Sequence, residues 1–284
     1  MAIRLIASAL DGPLLTDSKQ LSERTLAVLS RAAGEGIHIV PATGRAFSSV
    51  PESVLALPGV EYVITSNGAA LYSREAVFRA GSAWRRVYTC PLAAASVDAI
   101  LSLNEIGNPS SKLTIEGFID GVPYSEEAYV ADPEKYGATD FGIGYVKRTR
   151  TPVRDIRAFL REHKDELDSI SVVSADRALL AHCKQVMENE VPAIMTTSSV
   201  PHLLEIGHVN SGKGKTLEYL IRKLGIPAAE VMACGDAYND LDMIRLAGYG
   251  VAVENAVEAC KEAAYLVTDT NEADGVAKAL EKLL

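Results

Sequence analysis

IASALDGPLL, residues 6–15, begins as an apolar run and stops on Asp11-Gly12-Pro13. The run reaches back to Ile3, so Ile3 to Leu10 has the length of a strand that ends in a carboxylate and a turn. Outward from it the period changes. Ser22 precedes a helical pattern with Leu26, Leu29 and Ala33 on one face, and Gly36 stands where that helix would stop. Ile37 to Val40 reads as a strand, Phe47 to Leu57 as a helix, and Val60 to Thr65 as a strand. Strand, helix, strand, helix, strand is the rhythm of a parallel sheet with crossover helices. The last eighty residues repeat it: a helix over Thr216 to Leu224, strands over Val231 to Cys234, Gly250 to Val253 and Tyr265 to Thr268, with helices between and after them.

The middle of the chain differs. Leu113 to Ile119, Asp120-Gly121 and Val122 to Tyr124 together form a hairpin signal. Pro91 to Leu103 and Pro152 to His163 read as helices with Pro in the first turn. A strand over Ile170 to Ser174 and a helix near Ala178 to Glu188 follow. The expected organisation is a discontinuous α/β core over 1–83 and 191–284, with an inserted α+β domain over 84–190.

Composition narrows the class. Of 284 residues, 48% are hydrophobic and 23% charged, which excludes intrinsic disorder. Lys and Arg number 28 against 37 Asp and Glu, a net charge of −9. That balance argues against nucleic acid and anionic membrane surfaces as partners. No stretch approaches the roughly 20 apolar residues of a membrane span. Cys90, Cys183, Cys234 and Cys260 are scattered without a CxxC pair, so buried thiols in a reducing, cytoplasmic compartment are expected. Small anionic ligands stay open, because a site can be locally positive.

In open parallel sheets, ligands bind beyond the carboxyl ends of the strands. The strand ends here carry Asp11-Gly12, Thr43-Gly44-Arg45, Ser66-Asn67-Gly68 and Gly235-Asp236, with Asn239-Asp240 just beyond. Asp11, Asp236 and Asp240 are hard oxygen donors that the topology brings to one edge, a set that suits Mg²⁺. Thr43-Gly44 offers a hydroxyl and backbone N–H groups to an anion. Lys213, on the glycine-flanked loop Ser211-Gly212-Lys213-Gly214, offers a point charge for phosphate. Singly, each has an ordinary alternative: Asp11 as a turn residue, Asp236 and Thr43 as helix caps, Asp240 as an exposed helix acid, Lys213 as a solvated side chain. The loop lacks GxxxxGK(S/T) spacing, which excludes a nucleoside-triphosphatase, and the five histidines show no metal-binding pairing.

These motifs together resemble the haloacid dehalogenase superfamily, in particular its Cof-type sugar-phosphatase branch. The resemblance runs through IASALDGPLL at 6–15, PATGR at 41–45, ITSNGA at 64–69, SGKG at 211–214, CGDAYNDLDM at 234–243, VAVENA at 251–256 and DGVAKAL at 274–280. It implies a Rossmann-like core with a cap domain that closes over the site. It also implies Mg²⁺-dependent phosphoryl transfer from a small phosphorylated metabolite to an aspartate, then hydrolysis. On that pattern Asp11 is the general acid and base, with its backbone carbonyl on the metal. Thr43, Gly44, Lys213 and Asn239 hold phosphate. Asp236 is a direct metal ligand, and Asp240 supports the metal shell. A monomer or small homo-oligomer is expected.

One position departs from the pattern. The family reads DxDG(T/V)L where this chain has Ala9-Leu10-Asp11-Gly12-Pro13-Leu14, so Ala9 occupies the place of the nucleophilic aspartate. A methyl group neither attacks phosphorus nor ligates a metal, and little or no turnover is expected. Pro13 also removes a backbone N–H from the loop. Natural loss and deliberate substitution at position 9 both remain open, as do two alternatives: a non-catalytic binding protein of this fold, and a phosphomutase.

Overall fold

The computed structural model describes residues 2–74, 84–107, 113–139 and 141–284. In chain order its strands are β1 (Leu5–Ala9), β2 (His38–Ala42), β3 (Tyr62–Thr65), β4 (Ala70–Arg74), β5 (Trp84–Thr89), β6 (Thr114–Ile119), β7 (Val122–Glu126), β8 (Thr151–Val153), β9 (Leu167–Val173), β10 (Ile194–Thr197), β11 (Leu203–His208), β12 (Val231–Gly235), β13 (Tyr249–Val253) and β14 (Leu266–Thr268). They form an eight-stranded sheet in the order β14-β13-β12-β1-β2-β3-β4-β5 and a six-stranded sheet in the order β10-β11-β9-β6-β7-β8. The class is α/β with an α+β insertion, as the sequence implied.

The chain divides into two compact units. The first comprises Met1–Arg45, Val50–Tyr88 and Gly212–Leu284; the second comprises Ala46–Ser49 and Thr89–Ser211. In the first, β1 lies between β12 and β2, parallel to both. Every residue of β1 is buried, which is what a central parallel strand covered on both faces requires. Leu5, Ala7, Val40, Ile64, Leu71, Leu217, Leu220 and Val231 pack into its core. The edge at which β1, β2, β3 and β12 end carries the polar residues of interest.

Local chemistry sets the element ends. The Ser22 side chain accepts a hydrogen bond from the Thr25 N–H at 3.0 Å and starts the helix Glu23–Gly34. Its buried face is Thr25, Val28, Leu29 and Ala32, so the stripe is rotated from the expected one and Leu26 lies exposed. The expected helix over Phe47 to Leu57 is instead a 3₁₀ turn, Phe47–Ser49, and one short helix, Glu52–Leu55. Pro51 between them has no N–H to continue a helical ladder.

The second unit is a mixed sheet with helices packed on its apolar face. Ile100, Ile115, Ile156, Leu160, Ile170, Val172 and Ile206 are among its core. The hairpin of β6 and β7 turns through Asp120 and Gly121, both at positive φ, as a two-residue type I′ turn demands. The expected helix from Pro152 to His163 begins later: β8 takes Pro152, and the Asp155 side chain caps Ile156–Glu162. The insertion extends past the expected limit at residue 190. Both β10 and β11 pair into its sheet, so residues 191–211 belong to the second unit. At the other expected boundary, residue 83 lies outside the described residues.

Cys183, Cys234 and Cys260 are buried and in no disulfide, and Cys90 is half-buried. Burial pushes the Cys234 thiol up to about 12. No helix among the described residues is long and apolar enough to cross a membrane.

Candidate phosphate-binding site

Ala9 ends β1, with its methyl in the apolar core, 2% exposed. Its carbonyl accepts from the Leu14 N–H at 3.3 Å and the Ser8 hydroxyl at 3.0 Å. The loop that follows turns at Gly12, at φ 92°. A side chain there would meet the Asp236 carboxylate oxygen at 2.1 Å, so the bare backbone of Gly12 is what lets the acid that follows β12 lie against the β1 loop.

Asp11 is fixed from two sides. Arg45 donates through Nε to Oδ2 at 2.8 Å and through Nη2 to Oδ1 at 2.7 Å, the bidentate fork that suits a carboxylate. Lys19 Nζ stands 3.0 Å from Oδ1. Burial pushes the Asp11 carboxyl up, but Arg45 and Lys19 outweigh it and hold it below the ordinary carboxylate value. Neither cation was among the expected site residues. Arg45 lay in plain view as the last residue of PATGR, whereas Lys19 sits in a polar turn with no motif to mark it.

Thr43 is buried. Its Oγ1 accepts from the Arg45 N–H at 3.1 Å, which leaves the hydroxyl proton free to donate. The Gly44 N–H has no hydrogen-bond partner among the described residues. Thr43 and Gly44 thus present the donor pair that an anion needs. Ser66 and Asn67 follow β3 at positive φ and bend the chain so that the Gly68 carbonyl accepts from the Thr216 hydroxyl at 2.7 Å. This anchors the helix Lys213–Leu224 beside β3. A Cβ on Gly68 would meet the Gly212 carbonyl oxygen at 2.2 Å, so the approach of the two loops depends on that glycine.

Lys213, 4% exposed, donates to Asp240 Oδ1 at 2.7 Å, and Asp240 is 1% exposed. Asp240 Oδ2 accepts from the N–H groups of Asp236 and Ala237 at 3.0 and 3.1 Å. Ala237, not Asp236, is the N-cap of the turn that follows β12. Asp240 holds the turn after β12, and it is neither an exposed helix acid nor a carboxylate with free oxygens. Burial first, then the charge of Asp240, push the Asp236 carboxyl up to about 7, against the opposing pull of Lys213. Asn239 Nδ2 donates to Asn67 Oδ1 at 2.9 Å. Its own Oδ1 is buried without a partner among the described residues, and that free end is an acceptor. The second N–H of Nδ2 makes no hydrogen bond among the described residues and is the group with which Asn239 could reach a phosphate oxygen.

The residues fit a divalent cation poorly. Among the described residues no three Asp, Glu, His or Cys side chains stand together as a metal-holding group. Ala9 contributes no side-chain oxygen. The Asp11 oxygens face Arg45 and Lys19, and those of Asp240 face Lys213 and two amides. Asp236 is left as the one carboxylate of the three without a cation or amide on its oxygens among the described residues, beside the unpartnered Asn239 Oδ1 and backbone oxygens.

Comparison with known proteins is consistent along the chain. A family model described as haloacid dehalogenase-like hydrolase matches residues 6–280. The 5-amino-6-(5-phospho-D-ribitylamino)uracil phosphatase YitU of Bacillus subtilis is 30% identical over 292 residues, covering 98% of this chain and 96% of that protein. The putative phosphatase YxeH of the same organism is 30% identical over 289 residues, with 99% and 98% covered. Among solved structures, a haloacid dehalogenase-like hydrolase from B. subtilis superposes with a TM-score of 0.81 at 26% identity, covering 99% of this chain and all of that one (100%). One from Bacteroides thetaiotaomicron gives 0.78 at 27%, with 99% and 100% covered.

Proposed function

Since the chain belongs to the haloacid dehalogenase-like hydrolases, we propose that it recognises a small phosphorylated metabolite, a sugar or polyol phosphate, and that Ala9 leaves it with little or no turnover. The phosphate would rest on the Thr43 hydroxyl and the Gly44 N–H, which follow β2, and on the Lys213 ammonium, which opens the helix Lys213–Leu224. The names of YitU and two further B. subtilis relatives support the leaving-group class, because each refers to a phosphate on a ribityl chain. Asp11, beside the end of β1, would protonate the leaving alcohol if Arg45 released it. In a family member with its full set of ligands, Mg²⁺ supplies charge stabilisation to the transferring phosphoryl group. Here Asp236 and backbone oxygens near Asp11 are the available donors.

The observation that carries the proposal is the conjunction of a methyl group at position 9 with Asp11 beyond β1, Thr43 and Gly44 beyond β2, and Lys213 at the start of its helix. Attack on phosphorus needs an electron pair, and the end of β1 presents none from a side chain. The test is phosphate release by the chain and by Ala9→Asp, from an aryl phosphate and a panel of sugar and polyol phosphates, with Mg²⁺ and with chelator. The expected outcome is release by Ala9→Asp alone, and only with Mg²⁺. Silence from every monoester in the restored protein would end the phosphatase reading. Turnover by the unaltered chain would overturn the role assigned to Ala9.

A further inference from the structure

We infer that the phosphate pocket of this chain is balanced by its own cations and takes a phosphate group without Mg²⁺, an inference that rests on the phosphate-binding reading above. Three carboxylates and three cations meet at the sheet edge. Asp11 is paired with Arg45 and Lys19 at 2.7 to 3.0 Å, and Asp240 with Lys213 at 2.7 Å. Asp236 has no ion-pair partner among the described residues. With every group counted as ionised, Asp11, Asp236 and Asp240 balance Lys19, Arg45 and Lys213, and the upward push on the Asp236 carboxyl moves that balance toward positive, not negative.

An aspartate at position 9 would tip the fully ionised balance to minus one, and a dianionic phosphate arriving there would need a metal to offset it. Ala9 removes both the charge and the oxygen. Mg²⁺ sheds its waters reluctantly and demands near-ideal octahedral geometry, and with Ala9 it meets one unpaired carboxylate, Asp236, where an aspartate at position 9 would make two, so this edge is the weaker site for it. The phosphate's own contacts remain: a hydroxyl, an unpaired N–H and a buried ammonium, all held by the protein whether or not a metal is present. This edge is thus an anion cradle carrying its counter-charges in its side chains.

The experiment is calorimetric titration of inorganic phosphate into the full chain, once in chelator and once in excess Mg²⁺, with a separate Mg²⁺ titration in the absence of phosphate. The phosphate Kd is expected to agree within about threefold between the two conditions, a difference worth less than the 1.4 kcal/mol of a tenfold change. In Ala9→Asp the chelator value should weaken by about tenfold or more and recover with Mg²⁺, and Mg²⁺ alone should bind more tightly than to the parent chain. If Ala9→Asp lacks a cooperative thermal transition, Arg45→Gln takes its place. Removing that cation should weaken phosphate binding in chelator and make it respond to Mg²⁺. Phosphate binding by the parent chain that is lost in chelator would overturn the inference while sparing the phosphate reading. The absence of phosphate binding under both conditions would overturn both.

Discussion

Lys213 and Asp240 carry two roles that a pair of substitutions separates. Both are buried, and a buried charge left without its partner costs about 3–5 kcal/mol. Lys213→Met should therefore lower stability by about that amount, because Asp240 keeps two amide donors but loses its cation. Adding Asp240→Asn should recover much of the loss, since an amide oxygen can still accept from the turn and needs no counter-charge. Phosphate binding should not return in the double variant, because the ammonium is gone. Urea unfolding and phosphate titration of the two variants read these outcomes separately. Recovery of binding in the double variant would mean that Lys213 only neutralises Asp240. At this scale the sequence was informative where a residue type has one chemistry. Asp11, Thr43 and Lys213 sit where their motifs put them. It was less so where a partner decides the role: Asp240 turned inward to bind amides, and Lys19 came to Asp11 from a turn without a motif.

Elements follow the sequence where periodicity and punctuation agree, and depart from it where one proline or one neighbour intervenes. The first helix is a case of agreement. Ser22 caps Thr25 at 3.0 Å, and the Ser22 hydroxyl also donates to Asp274 Oδ1 at 2.5 Å, tying the helix start to the chain's last helical turn region. Ser22→Ala should cost about 1 kcal/mol for the lost cap, as a fall in the thermal midpoint with no change in phosphate affinity. A Ser22→Asp replacement should not rescue it fully, because it would set a second carboxylate against Asp274. Departures have equally local causes. Pro51 breaks the segment after β2 into a 3₁₀ turn and a short helix. On Glu23–Gly34 the buried face includes Thr25 and Val28 and leaves Leu26 exposed. Strands β10 and β11 were not legible because residues 191–211 show no run of alternation, and their place in the second sheet comes from pairing with β9.

On the scale of the whole molecule, each compact unit has a hydrophobic core of its own, and the proposed phosphate contacts belong to the first unit. Ala9, Asp11, Thr43, Gly44, Lys213, Asp236 and Asp240 all lie in the first unit. The second unit has its own core, in which Leu160 is fully buried and its Cδ2 lies 2.1 Å from where a side chain on Gly117 would project. Leu160→Ala opens a cavity there and should cost about 2–5 kcal/mol. If the phosphate group is held by the first unit's own residues, that damage should leave the Kd for inorganic phosphate within a factor of about two, far inside the tenfold that 1.4 kcal/mol would produce. Calorimetry should show the same separation from the other side. Phosphate at about 100 times its Kd stabilises the state that binds it by about 2.7 kcal/mol, and this gain should appear in a transition that Leu160→Ala does not lower. A phosphate Kd that weakens tenfold or more in Leu160→Ala would mean that residues of the second unit share in holding the phosphate itself. The binding edge would then have to be drawn wider than the four strand ends from which it was read.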